Sequence, residues 1–93
     1  MEIAVVGIDH NIAPIDVREK VAFTESKKEK GFQTLSKKGI EELIILSTCN
    51  RSEIYFMSAE IDQAIETVCD YLKEYTAQED IGQYLFIKKG QDA

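Results

Sequence analysis

No stretch of this 93-residue chain approaches the roughly 18 consecutive apolar residues of a membrane span, so a transmembrane helix is not expected. The N-terminus runs from Glu2 straight into an apolar strand pattern and lacks the basic, apolar and small-residue layout of a secretory signal; a cytoplasmic setting is expected. Cysteine is scarce. Cys49 and Cys69 stand in unlike local contexts, which is neither a disulfide framework nor a metal-ligand spacing, and no metal site is expected. No G-x-G-x-x-G occurs, so the chain cannot itself cradle a dinucleotide. It also holds no internal repeat and no low-complexity linker.

Positive charge is in short supply as well. Against 17 Asp and Glu there are 11 Lys and Arg, a formal net charge of −6, whereas nucleic-acid binding draws on cations that displace counterions from phosphate. The acids gather late, at Glu60, Asp62, Glu66, Asp70, Glu74, Glu79 and Asp80, with Lys73 alone among them. Lys27, Lys28, Lys30, Lys37 and Lys38 cluster earlier, and only that stretch could face RNA; a solvated helix face is its simpler reading. Hydrophobic residues make up 44% of the chain and charged residues 30%, the composition of a folded globular chain, and the length suits one small domain over residues 1–93.

The apolar run from Ile3 to Ile8 has strand length, and Asp9-His10-Asn11 ends it. Pro14 starts a turn or a first helical turn, with Ile15, Val17, Val21, Ala22 and Phe23 packed beside the strand. Thr24 suits an N-cap, and Lys27 stands where a capping-box glutamate would, so a partial cap opens a helix from about Glu25 to Lys38 that Gly39 ends. A second strand covers Glu42 to Thr48. Asn50 and Arg51 reverse the chain, and Glu53 to Met57 forms the third, so the two read as a hairpin with Cys49 at its tip. Ile61, Ala64, Ile65, Val68, Cys69, Leu72 and Tyr75 recur at three- and four-residue steps, the stripe of an amphipathic helix, and a fourth strand follows at Tyr84 to Ile87.

This β-α-β-β-α-β order closes into an α+β, ferredoxin-like layout: a four-stranded antiparallel sheet with both helices on one face. In Ile3 to Ile8 and Leu43 to Leu46 both alternating sets are apolar, which implies burial on both faces. Two helices cover one side only. The other needs a partner, and an uncovered face should drive self-association.

The densest chemical signal is Ser47-Thr48-Cys49-Asn50-Arg51-Ser52-Glu53. The nucleophilic form of cysteine is the thiolate, which a neighbouring guanidinium and turn amides favour; the competing reading is a small thiol buried at a strand end. Cys69, on an apolar helical stripe, reads as core. His10, the single histidine, sits just past the first strand and reads as a partner for backbone groups there, with an approach to the active site as the alternative.

Gly7-Ile8-Asp9-His10 followed by Ala13-Pro14 and Arg18-Glu19-Lys20 resembles the opening signature of the glutamyl-tRNA reductases, and Ser47-Thr48-Cys49-Asn50-Arg51 with Glu53-Ile54-Tyr55 resembles that family's nucleophile motif. The resemblance runs across essentially the whole chain and marks it as the N-terminal part of the catalytic domain. It departs from the family at Ser52, where threonine is common, and at Asn11-Ile12, where Lys-Thr is common. The resemblance implies that Cys49 attacks the ester of glutamyl-tRNA. It further implies that NADPH reduces the thioester to glutamate-1-semialdehyde, an early tetrapyrrole and haem precursor, and that Thr48, Asn50 and Arg51 belong to the glutamate pocket. It also implies a homodimeric full-length enzyme, NADPH-binding and dimerisation domains absent from this chain, and a further histidine just after Asp92-Ala93, so that the fragment is expected to be inactive alone. Two other readings are an RNA-binding module and a small-molecule regulatory module of the same fold. The first lacks a basic-glycine-aromatic run around Tyr55 and Phe56.

Overall fold

The structure, a computed structural model, describes residues 1–9, 11–40 and 42–90, apart from the side chain of Glu79. The reading of His10 lies outside the described residues, as do Asp92 and Ala93, after which the resemblance implies a further histidine. Four strands, β1 (Glu2–Asp9), β2 (Glu42–Ser47), β3 (Arg51–Ser58) and β4 (Phe86–Lys89), form one antiparallel sheet in the order β2-β3-β1-β4. Three helices, α1 (Ile15–Val21), α2 (Glu25–Lys37) and α3 (Ile61–Thr76), are joined before β4 by a 3-10 helix at Glu79–Tyr84. The expected ferredoxin-like layout is therefore the one found.

Each helix forms for a local reason. Pro14 precedes α1 at φ −66°, its ring holding the angle a helix start needs, and its carbonyl accepts from the Val17 and Arg18 N–H groups. A full seven-residue helix thus stands where a turn or a first helical turn was expected, with Val17 and Val21 four residues apart on its buried side. Thr24 caps α2 as expected, its hydroxyl oxygen accepting from the Lys27 N–H at 3.3 Å. Gly39 follows that helix at φ +100°, a conformation that costs a residue with a Cβ. In α3 the buried set is Ile61, Ala64, Val68, Tyr71 and Leu72; Tyr71 joins the stripe read from the sequence, while its Ile65, Cys69 and Tyr75 are only partly buried against the core.

The core lies between the helices and one sheet face. It takes Ala4, Val6 and Ile8 from β1, Leu43 and Ile45 from β2, and Ile54 and Phe56 from β3, against Val17, Val21, Leu35, Val68 and Leu72 of the helices. Burying each of the larger side chains stabilises the fold by about 1.5–3 kcal/mol.

Two expectations need correction. The fourth strand begins at Phe86 and runs to Lys89, because Tyr84 closes the 3-10 helix, where the Leu85 N–H donates to the Gly82 carbonyl and Ile81 is fully buried. Burial on both sheet faces is also not realised in β2: Leu43 and Ile45 are covered, but Ile44 is 62% and Leu46 46% exposed. With Ile3, Tyr55 and Met57 they form an open apolar face opposite the helices, at whose centre Val5 is nonetheless buried by its neighbours. Among the described residues no helix is long and apolar enough to cross a membrane.

Candidate active site

The last β2-β3 pair is Ser47 with Ser52, after which the Thr48 N–H donates to the Arg51 carbonyl at 2.7 Å and leaves Cys49 and Asn50 as the tip. The Thr48 hydroxyl oxygen accepts from the backbone N–H groups of Asn50 and Arg51, each at 3.2 Å. One short side chain thereby satisfies two amides that the sharp reversal takes out of the ladder. Its own O–H proton stays available to donate. Cys49, Asn50 and Arg51 are exposed, so the expected hairpin presents its thiol to solvent.

The base of the tip is braced from the helix side. The buried Ser52 hydroxyl lies 2.8 Å from that of Ser47, and the Ser47 oxygen also accepts from the Phe23 N–H at 3.0 Å, tying the linker between α1 and α2 to the end of β2. Next to that linker the Tyr75 hydroxyl donates to the Ala22 carbonyl at 2.7 Å, and the Phe23 and Tyr75 rings stack at 4.4 Å. From α1, the Arg18 guanidinium reaches the tip itself, Nη1 donating to the Cys49 carbonyl at 3.4 Å.

On the open face, Arg51 Nη1 lies 3.8 Å from Glu53 Oε2. That separation is an ion pair rather than a hydrogen bond, so the fork of the guanidinium keeps its donors for another anion. Glu53 is 7% exposed, and its other oxygen accepts from the Tyr55 hydroxyl at 3.3 Å. Burial, then the charge of Glu53 and that hydrogen bond, push the Tyr55 hydroxyl above its usual range and keep it a donor.

The four residues singled out for the site, Thr48, Cys49, Asn50 and Arg51, thus occupy one four-residue reversal, as continuous sequence requires. Sequence reasoning assigned no role to Arg18 or to Glu53. Arg18 stands 31 residues from the tip it touches, and only its place in a recognisable Arg18-Glu19-Lys20 run marked it. Cys69 lies half-buried on α3 against the core, and burial raises its thiol pKa, with Lys73 opposing and Asp70 adding to the shift. Among the described residues no glycine turn leads from a parallel strand into a helix, the cradle a nicotinamide dinucleotide would need: Gly7 is packed inside a strand and Gly31 lies mid-helix against Tyr71. Among the described residues no cluster of His, Cys, Asp and Glu could hold a metal ion.

A family model described as "Glutamyl-tRNAGlu reductase, N-terminal domain" matches residues 6–93. Among curated proteins the chain is 52% identical over 93 residues to the glutamyl-tRNA reductase of Clostridium novyi (strain NT), covering all of this chain and 23% of that protein. It is 44% identical over 96 residues to that of Acaryochloris marina (strain MBIC 11017), covering 22% of it. Among solved structures it resembles the glutamyl-tRNA reductase from Methanopyrus kandleri with a TM-score of 0.70 at 24% identity, over 98% of this chain and 20% of that one, a likeness of fold. The chain thus spans under a quarter of the length of these relatives.

Proposed function

Starting from the fact that this chain belongs to the glutamyl-tRNA reductase family, an oxidoreductase family whose N-terminal part it forms, we propose that it supplies the nucleophile with which the full-length enzyme takes glutamate from glutamyl-tRNA. The observation that carries this reading is Cys49 itself, an exposed thiol on a two-residue tip between two paired strands, with a guanidinium donor two residues on.

In this reading the Cys49 thiolate attacks the ester carbonyl joining glutamate to the tRNA ribose. A carbon–sulfur bond forms, the carbon–oxygen bond breaks, and the ribose oxygen leaves with a proton, so that glutamate is held as a thioester. An aminoacyl ester is already activated, and the thioester is in turn a better acceptor of hydride than an ester or an acid. Thr48, whose hydroxyl oxygen takes the Asn50 and Arg51 amides and leaves its O–H free to donate, belongs with Asn50 to the glutamate pocket. Arg51 pairs with a glutamate carboxylate through two parallel N–H bonds, for which its donors are left open by the long contact to Glu53. NADPH is the expected reductant, giving glutamate-1-semialdehyde for tetrapyrrole synthesis. Since the described residues hold no dinucleotide cradle, its binding in this reading belongs to other parts of a homodimeric enzyme.

The test is to incubate a full-length enzyme carrying this domain with glutamyl-tRNA labelled in the amino acid, without NADPH. Covalent label should appear on the protein, be released by neutral hydroxylamine, and vanish in Cys49→Ser but not in Cys69→Ser. A hydroxylamine-sensitive adduct that survives Cys49→Ser would overturn the assignment.

A further inference from the structure

The contact between Arg18 and the tip is not explained by packing. Arg18 leaves α1 between the buried Val17 and the exposed Glu19, and it reaches across to the hairpin although a long cationic side chain on a surface helix could stay in solvent. Its Nε is buried and has no hydrogen-bond partner among the described residues. Holding a charged donor in that state opposes folding, so the arrangement calls for a return elsewhere. The return is geometric and electrostatic. Arg18 Nη1 bonds the carbonyl of the residue that bears the thiol, and the linker that follows α1 is tied to the base of the same hairpin through the Phe23 N–H and Ser47. The tip therefore meets a guanidinium from the helix side, while Arg51 stands on the open face.

We propose that Arg18 is a positioning residue for Cys49: it fixes the tip through the Cys49 carbonyl and brings to it a second positive charge that, together with Arg51, draws an anionic substrate group toward the thiol. The purpose of the charge rests on the reading of Cys49 as a nucleophile for an acidic aminoacyl ester. Its presence at the tip does not, and can be measured without tRNA.

The probes are two alkylating agents of like mechanism and unlike charge, neutral iodoacetamide and anionic iodoacetate, with modification at Cys49 and Cys69 followed separately by mass spectrometry. A cation beside a thiol favours the anionic reagent. For a unit charge some 6–10 Å away in a water-like dielectric, the iodoacetate-to-iodoacetamide rate ratio at Cys49 should fall about two- to three-fold in Arg18→Gln. It should be largely restored in Arg18→Lys, while the ratio at Cys69 stays constant. A merely structural arginine would change access for both reagents alike and leave the ratio where it was. An unchanged ratio in Arg18→Gln, or a lysine variant no better than glutamine, would overturn the proposal. If the glutamine variant does not fold, Arg51→Gln with Arg18 intact decides the matter: Cys49 must still prefer iodoacetate relative to Cys69, and loss of that preference refutes a charge contributed by Arg18. In the earlier labelling test, no glutamyl adduct on the parent enzyme, or one that survives Cys49→Ser, would sink the enzymatic reading and, with the ratio behaving as stated here, leave the role of Arg18 standing.

Discussion

Gly7 offers the sharpest test of how the fold and the site are joined. It sits in β1 opposite Glu53 of β3 and beside Phe86 of β4. A Cβ placed there would stand 2.8 Å from the Ser52 carbonyl oxygen, 2.9 Å from Phe86 Cζ and 3.0 Å from Glu53 Cγ. The two side chains can rotate aside, but the carbonyl belongs to the paired strand and moves only if β3 moves. Overfilling a packed site costs about 1–3 kcal/mol, and removing a strand glycine returns roughly 0.5–1 kcal/mol, so at the middle of both ranges Gly7→Ala should lose about 1 kcal/mol. With a urea dependence of about 1 kcal/mol per molar for a domain of this size, the unfolding midpoint falls by about 1 M. Gly82→Ala is the control. Its nearest neighbour would be Lys73 Cε at 4.0 Å and its φ is ordinary, so its midpoint should hold or rise slightly. Both variants are read by far-UV circular dichroism in urea. A Gly7→Ala chain as stable as its parent would refute the close approach of β1 and β3 on which this reasoning depends.

Other outcomes follow from the same geometry. Brief alkylation at neutral pH should label exposed Cys49 before Cys69, whose thiol burial holds protonated; preferential labelling of Cys69 in the folded chain would count against the active-site assignment. In a full-length enzyme, Arg51→Lys should impair the reaction with glutamyl-tRNA without unfolding the protein, because charge is kept while the bidentate fork is lost; near-parental kcat and KM would remove Arg51 from carboxylate binding. The open face bearing Ile44 and Leu46 should make the 93-residue chain self-associate at high concentration, and Ile44→Lys with Leu46→Lys should return it toward monomer in sedimentation; a parent that is strictly monomeric would refute the argument. Supplied with glutamyl-tRNA and NADPH, the chain alone should show no hydride transfer, and measurable turnover would show that its site is complete.

Much of the architecture was legible in the sequence because its signals are local. Three- and four-residue apolar spacing produced α3, Thr24 and Gly39 bounded α2 through bonds to near neighbours, and a polar reversal between two apolar runs placed Cys49 on a tip. Where two local signals competed, they misled: Tyr84 looks like the start of a strand, yet the buried Ile81 three residues earlier holds it in a 3-10 turn. Alternation could establish that Ile44 and Ile45 point to opposite faces but not which face is covered, since cover is supplied by helices distant in sequence. The bond from Arg18 to Cys49 and the fit of Gly7 between Ser52 and Phe86 likewise join residues far apart along the chain. Periodicity and capping are properties of a segment and its immediate neighbours, and so the sequence by itself determined most of the elements and the tip. Which distant groups meet depends on how the sheet registers and the helices pack, and so only the tertiary structure decided what braces the thiol and which apolar face is left open.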